Sequence, residues 1–360
     1  MENLVSIIIL NYNWWKFNKP CLDSILCQSY TNFEIIFVNN LSTDWSLEEV
    51  KKTYTKEIDT WKIKIIENKE NYGFAEGNNI GAKHAEKIGK YICLINNDTV
   101  VEFNWLEKLI QCIESDERLW LVGSLVLDRW LEEEIQDMIF KKKNMGINNY
   151  IMETSFRRIT DQEFKTWVIY TTGISGCGLV YKKDLIQKPF PSFYFAYGED
   201  TYLSHCILLS GYKLALCTKA IIHHIWSASF GKKISLLKAF HGAKNQLCNI
   251  LLFHTRANSI KLIPTYLLYQ GVKIFSWNIS IRLKWLYKAI ARCIRHRKEI
   301  KQQKKYIKNI QKISNKAYIK QLSDKIFENI YFLPIPKYQI YIMNILNTLS
   351  KLYFRLVDIR

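Results

Sequence analysis

Along the first 130 residues, short apolar, β-branched runs alternate with segments of helical spacing. That alternation constrains the fold more than any other feature. LVSIIIL (Leu4–Leu10), FEIIFV (Phe33–Val38), IKII (Ile63–Ile66), YICLI (Tyr91–Ile95) and LWLVGSLVL (Leu119–Leu127) read as five strands. Between them, Lys19–Gln28, Ala75–Ile88 and Phe103–Ile113 carry helix-spaced apolar side chains. Strands spaced by helices predict an α/β protein on a parallel sheet. In such sheets ligands bind beyond the carboxyl ends of the strands. Asn11-Tyr12-Asn13, Asn39-Asn40 and Asn96-Asn97-Asp98 all fall at those ends, so they are expected to converge on one crevice.

Further along, Trp130–Trp167 is charged and weakly patterned and reads as an insertion or a mobile loop. TTGISGCGLVY (Thr171–Tyr181) brings three glycines and then a strand. An aromatic loop, Phe190–Tyr197, leads to Gly198-Glu199-Asp200. Thr201–Ser210 is helical and stops at Gly211, and KLALCTKAII (Lys213–Ile222) is a strand ending in His223-His224.

Charge divides the chain. The net charge is +18, but residues 231–360 hold 26 Lys and Arg against four acids, a net +22, so residues 1–230 carry −4. A uniform nucleic-acid coat is not built this way, and no DNA- or RNA-binding motif accompanies the charge. We therefore expect a catalytic part at 1–230 and a basic, mainly helical region at 231–360. In that region Ile300, Ile307, Ile310 and Ile313 share one helix face, and Ile342, Ile345, Leu346, Leu349, Tyr353 and Leu356 share another. Basic amphipathic helices predict docking on an anionic membrane surface. The alternative is a helical subdomain packed on the first part. Nine scattered cysteines without a C-x-x-C pair fit a reducing compartment. Val5–Leu10 is too short for a targeting segment, and Gln270 and Lys273 interrupt the apolar stretch Leu262–Ile281. The expected location is cytoplasmic, peripheral on the inner face of the cell membrane.

Four constellations can carry chemistry. Asp98, flanked by Asn96 and Asn97 after a buried strand, can ligate a hard divalent cation, or simply form a polar turn. Glu199-Asp200 at a helix start can supply a general base, or a helix cap. His223-His224 can complete a metal site, or form a pair of half-buried, satisfied histidines. Asn71–Gly81 (N-Y-G-F-A-E-G-N-N-I-G) opens a helix with three glycines, which suits a phosphate as well as an ordinary turn.

The order of these motifs resembles family 2 glycosyltransferases of the GT-A fold. VSIIILNYN and C-L-D-S-I-L-C-Q-S-Y-T-N-F-E-I-I-F-V-N-N-L-S-T-D are similar to that family's opening. N-Y-G-F-A-E-G-N-N-I-G and L-I-N-N-D-T-V-V are similar to its rhamnosyltransferase-like branch. Y-G-E-D-T-Y-L-S-H-C-I-L-L-S-G-Y-K-L and A-I-I-H-H resemble its later half, so the resemblance spans about residues 4 to 230. It implies a nucleotide-sugar-binding sheet flanked by helices. It also implies an inverting transfer of one sugar, or a few, from a nucleoside diphosphate-sugar to a glycan acceptor, lipid-linked, in polysaccharide biosynthesis. Asn11, Asn13, Asn39, Asn78, Asn79, Asn96 and Asn97 would face the donor. Asp98 and His224 would hold Mn²⁺ or Mg²⁺, and Asp200, with Glu199 beside it, would be the base. Asn39 stands where an Asp is usual, and Trp45 where a Gly is usual. The Q-x-x-R-W signature of processive synthases is absent after Asp200. A non-catalytic nucleotide-sugar-binding or membrane scaffold protein is the rival reading.

Overall fold

The computed structural model describes residues 3–85, 88–128, 145–149, 154–158, 161–186, 188–224, 236–275, 279–322 and 337–359. Most of the segment read as an insertion, Trp130–Trp167, lies outside them. The apolar runs become β1 (Val5–Asn11), β2 (Phe33–Asn39), β3 (Ile63–Glu67) and β4 (Tyr91–Asn96), which pair in parallel in the order β3-β2-β1-β4. Between them run α1 (Trp15–Leu26), α2 (Ser46–Thr53), α3 (Thr55–Asp59) and α4 (Gly73–His84). Helix α1 starts four residues before the expected Lys19 and carries Pro20 inside it, where the missing N–H removes one helical bond.

The chain continues through a short β5 (Thr99–Val101), α5 (Trp105–Glu114) and β6 (Leu119–Asp128). A separate hairpin, β7 (Met145–Asn149) with β8 (Thr154–Arg158), precedes α6 (Asp161–Lys165). Then come β9 (Val168–Thr171), β10 (Gly178–Lys182), a 3₁₀ turn at Ser192–Tyr194, α7 (Glu199–Leu209) and β11 (Lys213–His224). The sheet is mixed and not parallel throughout. β10 lies antiparallel between β4 and β6, and β5 and β9 lie antiparallel to β11.

Strand alternation gives the sheet two buried faces. Ile7, Ile9, Ile35, Phe37, Cys93 and Ile95 point toward α1 and α5, where Leu22, Ile25, Leu106 and Leu109 complete one core. Ile8, Ile36, Val38, Ile92 and Leu94 point the other way. That face is covered by α4 and α7, and also by the C-terminal helices. These are α8 (Leu236–Phe253), α9 (Arg256–Phe275), α10 (Ile279–Arg295), α11 (Arg297–Ile310), α12 (Asn315–Gln321) and α13 (Lys337–Leu356). Ile250, Phe253, Tyr266, Ile300, Ile307, Tyr318 and Phe354 join the same core as Ile8. Helix α4 sits so close to β1 that a Cβ on Gly81 would meet Ile8 Cγ2 at 2.5 Å.

The two amphipathic faces read from the C-terminal sequence part company here. Ile300, Ile307, Ile310 and Ile313 pack inward on the sheet side, as the packed-subdomain alternative requires. On α13, Leu346 and Tyr353 turn inward, whereas Ile342, Ile345, Leu349 and Leu356 are exposed together with Leu352. Among the described residues, no helix is long and apolar enough to cross a membrane.

Candidate active site

Parallel register brings the polar clusters together, since Asn11 pairs with Asn39 and Leu10 with Asn96. Asn11 is fully buried. Its Oδ1 accepts from Asn18 Nδ2 at 2.7 Å and from Asn97 Nδ2 at 3.2 Å. Its Nδ2 donates to Ser42 Oγ at 2.9 Å and to Ser46 Oγ at 3.1 Å. Asn39 Oδ1 accepts from the Ser42 N–H at 3.3 Å. Asn13 lies in the left-handed region (φ 65°), and its Oδ1 accepts from the Thr43 N–H at 2.7 Å. Asn11, Asn13, Asn39 and Asn97 are thus bonded into one neutral amide network that fixes the loops beyond β1, β2 and β4. Buried polar groups satisfied in this way stiffen a site.

Asn78 and Asn79 are placed elsewhere, on α4. Asn78 Nδ2 donates to Phe74 O at 2.9 Å. Asn79 donates to Phe190 O at 2.9 Å and accepts from Phe190 N at 3.0 Å. The structure gives Asn79 a fastening task, holding the start of the aromatic loop against α4.

The cluster at the end of β4 is the chemical centre. His224 Nε2 lies 3.1 Å from Asp98 Oδ1, with side chains only 8% and 7% exposed. Asn96 Nδ2 approaches the same imidazole nitrogen at 3.5 Å. Asn96 Oδ1 is buried with no hydrogen-bond donor. Two pairings assemble this cluster. First, β5 runs antiparallel to β11, so His224 pairs with Thr99, next to Asp98. Second, β11 bulges: Cys217 pairs with Ser124 but Ile221 with the very next residue, Leu125. The three extra residues reverse the alternation, so His224 shares the face of Cys217 and Ile222. A one-residue change of register moves every side chain to the other face. His223 consequently points outward, 3.6 Å from Glu102 Oε1.

Glu199 and Asp200 open α7. Glu199 is buried, and its Oε2 has no hydrogen-bond partner. Burial, with the Asp200 charge beside it, pushes the Glu199 carboxyl up to about 8. Asp200 is partly exposed, and its Oδ1 accepts from the Thr201 N–H at 2.7 Å. Burial raises its pKa as well, opposed by hydrogen bonds from the Thr201 and Gly176 amides. Cys177 links the two centres. Its carbonyl accepts from the Asn96 N–H at 3.2 Å, and its thiol is pushed up to about 12, first by burial and further by the Asp98 and Asp200 charges.

The loop leading to the acidic pair is conformationally costly. Phe195 has φ 65° and ψ −66°, and the Ala196 N–H bonds back to Tyr194 O at 2.9 Å, a γ-turn. Tyr197 follows with φ 67° and Gly198 with φ 83°. Each non-glycine position of this kind costs on the order of 1–3 kcal/mol and persists only where its surroundings over-determine it. The Phe195 ring lies on Gly73, where a Cβ would come within 2.5 Å of it. Sequence reasoning missed Asn18, Ser42 and Ser46 of the amide network, and Cys177. Their only signal is polarity or small size near a strand end.

Comparisons with known proteins bear on this geometry. A profile for the family described as glycosyl transferase family 2 matches residues 6–188. An uncharacterized glycosyltransferase of Haemophilus influenzae is 36% identical over 126 residues, 34% of this chain and 38% of that protein. Glycosyltransferase GlyA of Streptococcus pneumoniae is 29% identical over 230 residues, 61% of this chain and 30% of that protein. The chain thus matches less than two-fifths of the length of either relative. Among solved structures, GalNAc-T7 with UDP, GalNAc and Mn²⁺ superposes with a TM-score of 0.57 at 16% identity, covering 81% of this chain and 57% of that one. TarS residues 1–349 from S. aureus superposes with a TM-score of 0.52 at 15% identity, covering 88% and 89%. At these identities the likeness is one of fold, and the fold is GT-A.

Proposed function

The chain belongs to glycosyl transferase family 2, and from that membership and the geometry above we propose that it moves a sugar from a nucleoside diphosphate-sugar to a hydroxyl of a glycan acceptor. One observation carries the reading: Asp98, His224 and Asn96 converge at the end of β4, Cys177 O holds the Asn96 N–H, and Asp200 lies against the adjoining Gly176, where a Cβ would come within 3.6 Å of its own. Asn11, Asn13, Asn39 and Asn97 hold the loops around the donor nucleotide, and Asn78 and Asn79 the helix beside it.

A divalent cation, Mn²⁺ or Mg²⁺, fits this donor set. Asn96 Oδ1 is a buried acceptor without a donor, on the amide whose Nδ2 lies 3.5 Å from the imidazole nitrogen that faces the Asp98 carboxylate. Among the described residues, no group of three or more His, Cys, Asp or Glu gathers, so the amide oxygen would be the third protein ligand. Asp98, His224 and Asn96 would hold the cation, which when bound would supply Lewis-acid stabilisation of the departing diphosphate.

Proton transfer falls to the acidic pair. Asp200, partly exposed and bonded to two amides, takes the proton of the acceptor hydroxyl as that oxygen attacks the anomeric carbon. Its raised pKa makes it a better proton acceptor than an ordinary aspartate. Glu199, buried and protonated at neutral pH, is the poorer base. A single displacement inverts the anomeric carbon and requires no covalent intermediate. Transfer of one sugar, or a few, is supported by the missing Q-x-x-R-W signature.

Residues 231–360 would bring this catalytic part, residues 1–230, to a lipid-linked acceptor on the inner face of the membrane. Their +22 charge and the exposed apolar residues of α13 support that role. The test is a panel of nucleoside diphosphate sugars with Mn²⁺. We expect metal-dependent binding and nucleoside diphosphate release with one donor. Asp98→Ala should abolish Mn²⁺ binding read by electron paramagnetic resonance. Asp200→Asn should lower turnover about 10²- to 10⁴-fold with donor binding kept. Donor binding without release by the wild type would turn the assignment to the non-catalytic reading.

A further inference from the structure

Helix α8 belongs to the basic C-terminal region, yet one of its faces is spent on the loop before the acidic pair. His241, Lys244, Asn245 and Asn249 recur at helical spacing on that face, and all four are buried. Asn245 Nδ2 donates to Tyr194 O at 3.1 Å, Ala196 O at 2.9 Å and Tyr197 O at 2.5 Å. Asn249 accepts from the Tyr194 hydroxyl at 2.6 Å and donates to Gly198 O at 3.4 Å. Lys244 Nζ donates to Phe193 O and Tyr194 O. His241 stacks on the Phe195 ring, 5.1 Å between centroids.

We infer that this stripe, centred on Asn245, positions Glu199 and Asp200 for proton transfer, so that residues beyond 230 complete the active site. The inference rests on the glycosyltransfer reading above. Three observations carry it. The captured carbonyls belong to the segment containing Phe195, Tyr197 and Gly198, all at positive φ, a backbone that local sequence does not favour. Gly198 directly precedes Glu199, so a displaced loop displaces the start of α7. Asn245 itself is fully buried, and its Oδ1 has no partner. A leucine would fill that space without the cost of an unsatisfied oxygen, so the NH₂ group is what the position requires. An aspartate would set a negative charge against three carbonyl oxygens. Asn245 is a positioning residue and touches no reacting atom.

The experiment uses the full chain with two substitutions. Asn245→Ala removes the clamp. Tyr194→Phe is milder, removing only the hydroxyl bonded to Asn249. Release of the nucleoside diphosphate from the donor that the panel identifies, with Mn²⁺, is read as kcat and KM. Thermal stability is read from pH 5 to pH 9, with Glu199→Gln as reference. The groups facing Glu199 are Asp200 on α7 and Tyr194 and Tyr197 on the loop. We expect Asn245→Ala to lower kcat on the order of 10²-fold, the usual penalty for a misplacement of about 1 Å, with KM for the donor within about twofold. Tyr194→Phe should follow the same pattern to a lesser extent. The pH dependence that distinguishes the wild type from Glu199→Gln should flatten in Asn245→Ala, because the released loop lets water reach the carboxyl. Wild-type kcat per folded molecule and an unchanged pH dependence in both variants, even with a lower Tm, would overturn the inference. If the wild type releases a nucleoside diphosphate from no donor of the panel, the glycosyltransfer reading fails separately, and the pH dependence still decides whether the clamp holds the acidic pair.

Discussion

Replacing Glu199 by Gln should stabilise this protein, and increasingly so as pH rises. The unfolded carboxyl titrates near 4.5, and in the fold burial pushes it up to about 8, with the Asp200 charge adding to the effect. The folded state therefore holds its proton where the unfolded state has already lost it. Below about pH 4.5 both states are protonated and the residue contributes nothing to the pH dependence. Between about 4.5 and 8 each pH unit lowers stability by about 1.4 kcal/mol. Above the folded value the loss levels off. By this arithmetic the burial costs about 3 kcal/mol at pH 7, an upper bound because Asp200 and Glu199 titrate together. Glutamine keeps the shape and cannot ionise. Urea unfolding of wild type and Glu199→Gln at pH 5, 6, 7 and 8 measures the difference. We expect the two curves to meet near pH 5 and to separate by a few kcal/mol at pH 8, with Glu199→Gln the more stable. Asp200, also raised by burial, contributes a residual slope of the same sign to both proteins. A wild type whose stability holds level or rises relative to Glu199→Gln from pH 5 to pH 8 would refute the reasoning.

Three further outcomes are expected. Gly73→Ala should destabilise by about 2–4 kcal/mol, combining the left-handed backbone cost with overpacking. Its φ is +75°, and the new Cβ would lie 2.5 Å from the Phe195 ring and 2.6 Å from a carbonyl that the Ala75 N–H already holds. Equilibrium unfolding checks this, and a loss below about 0.5 kcal/mol would show that the loop yields freely. Replacing both Leu349 and Leu352 by Glu should cut flotation with anionic vesicles at least about tenfold and leave Tm almost unchanged, because both side chains are more than half exposed. Undiminished flotation would remove α13 from the membrane contact. Gly81→Val should lower stability by about 1–3 kcal/mol through overpacking against Ile8, seen as a shifted urea midpoint with an unchanged m-value.

The first half of the sheet was legible in the sequence because its information is local. A buried parallel strand needs an unbroken apolar run, and Val5–Asn11, Phe33–Asn39 and Tyr91–Asn96 each have one, ending in asparagine. Where three such strands run side by side, their ends must meet, so the gathering of the asparagine clusters followed from the runs alone. The second half was less legible. Three residues, Thr99–Val101, are too few to show a period, so β5 was not foreseen. The amphipathic pattern of Ile300 to Ile313 carried no mark to separate a membrane face from a core face, since both require the same spacing. Packing into the core shared with α7 and α8 decided it.

Read alone, the chain already contained the α/β class, the strand ends that come together, and the residue types available for metal and proton chemistry. It left two neighbouring histidines equivalent and two neighbouring carboxylates undivided. Tertiary structure separated both pairs. The bulge between Cys217 and Ile221 turned His224 toward Asp98 and His223 outward, because strand side chains alternate and an odd insertion reverses the alternation. Hydrogen bonding separated Glu199 from Asp200: burial raises both carboxyls, but amides of Thr201 and Gly176 oppose the rise at Asp200, whereas Glu199 Oε2 has no hydrogen-bond partner. Neither distinction exists until separate segments of the chain have packed together.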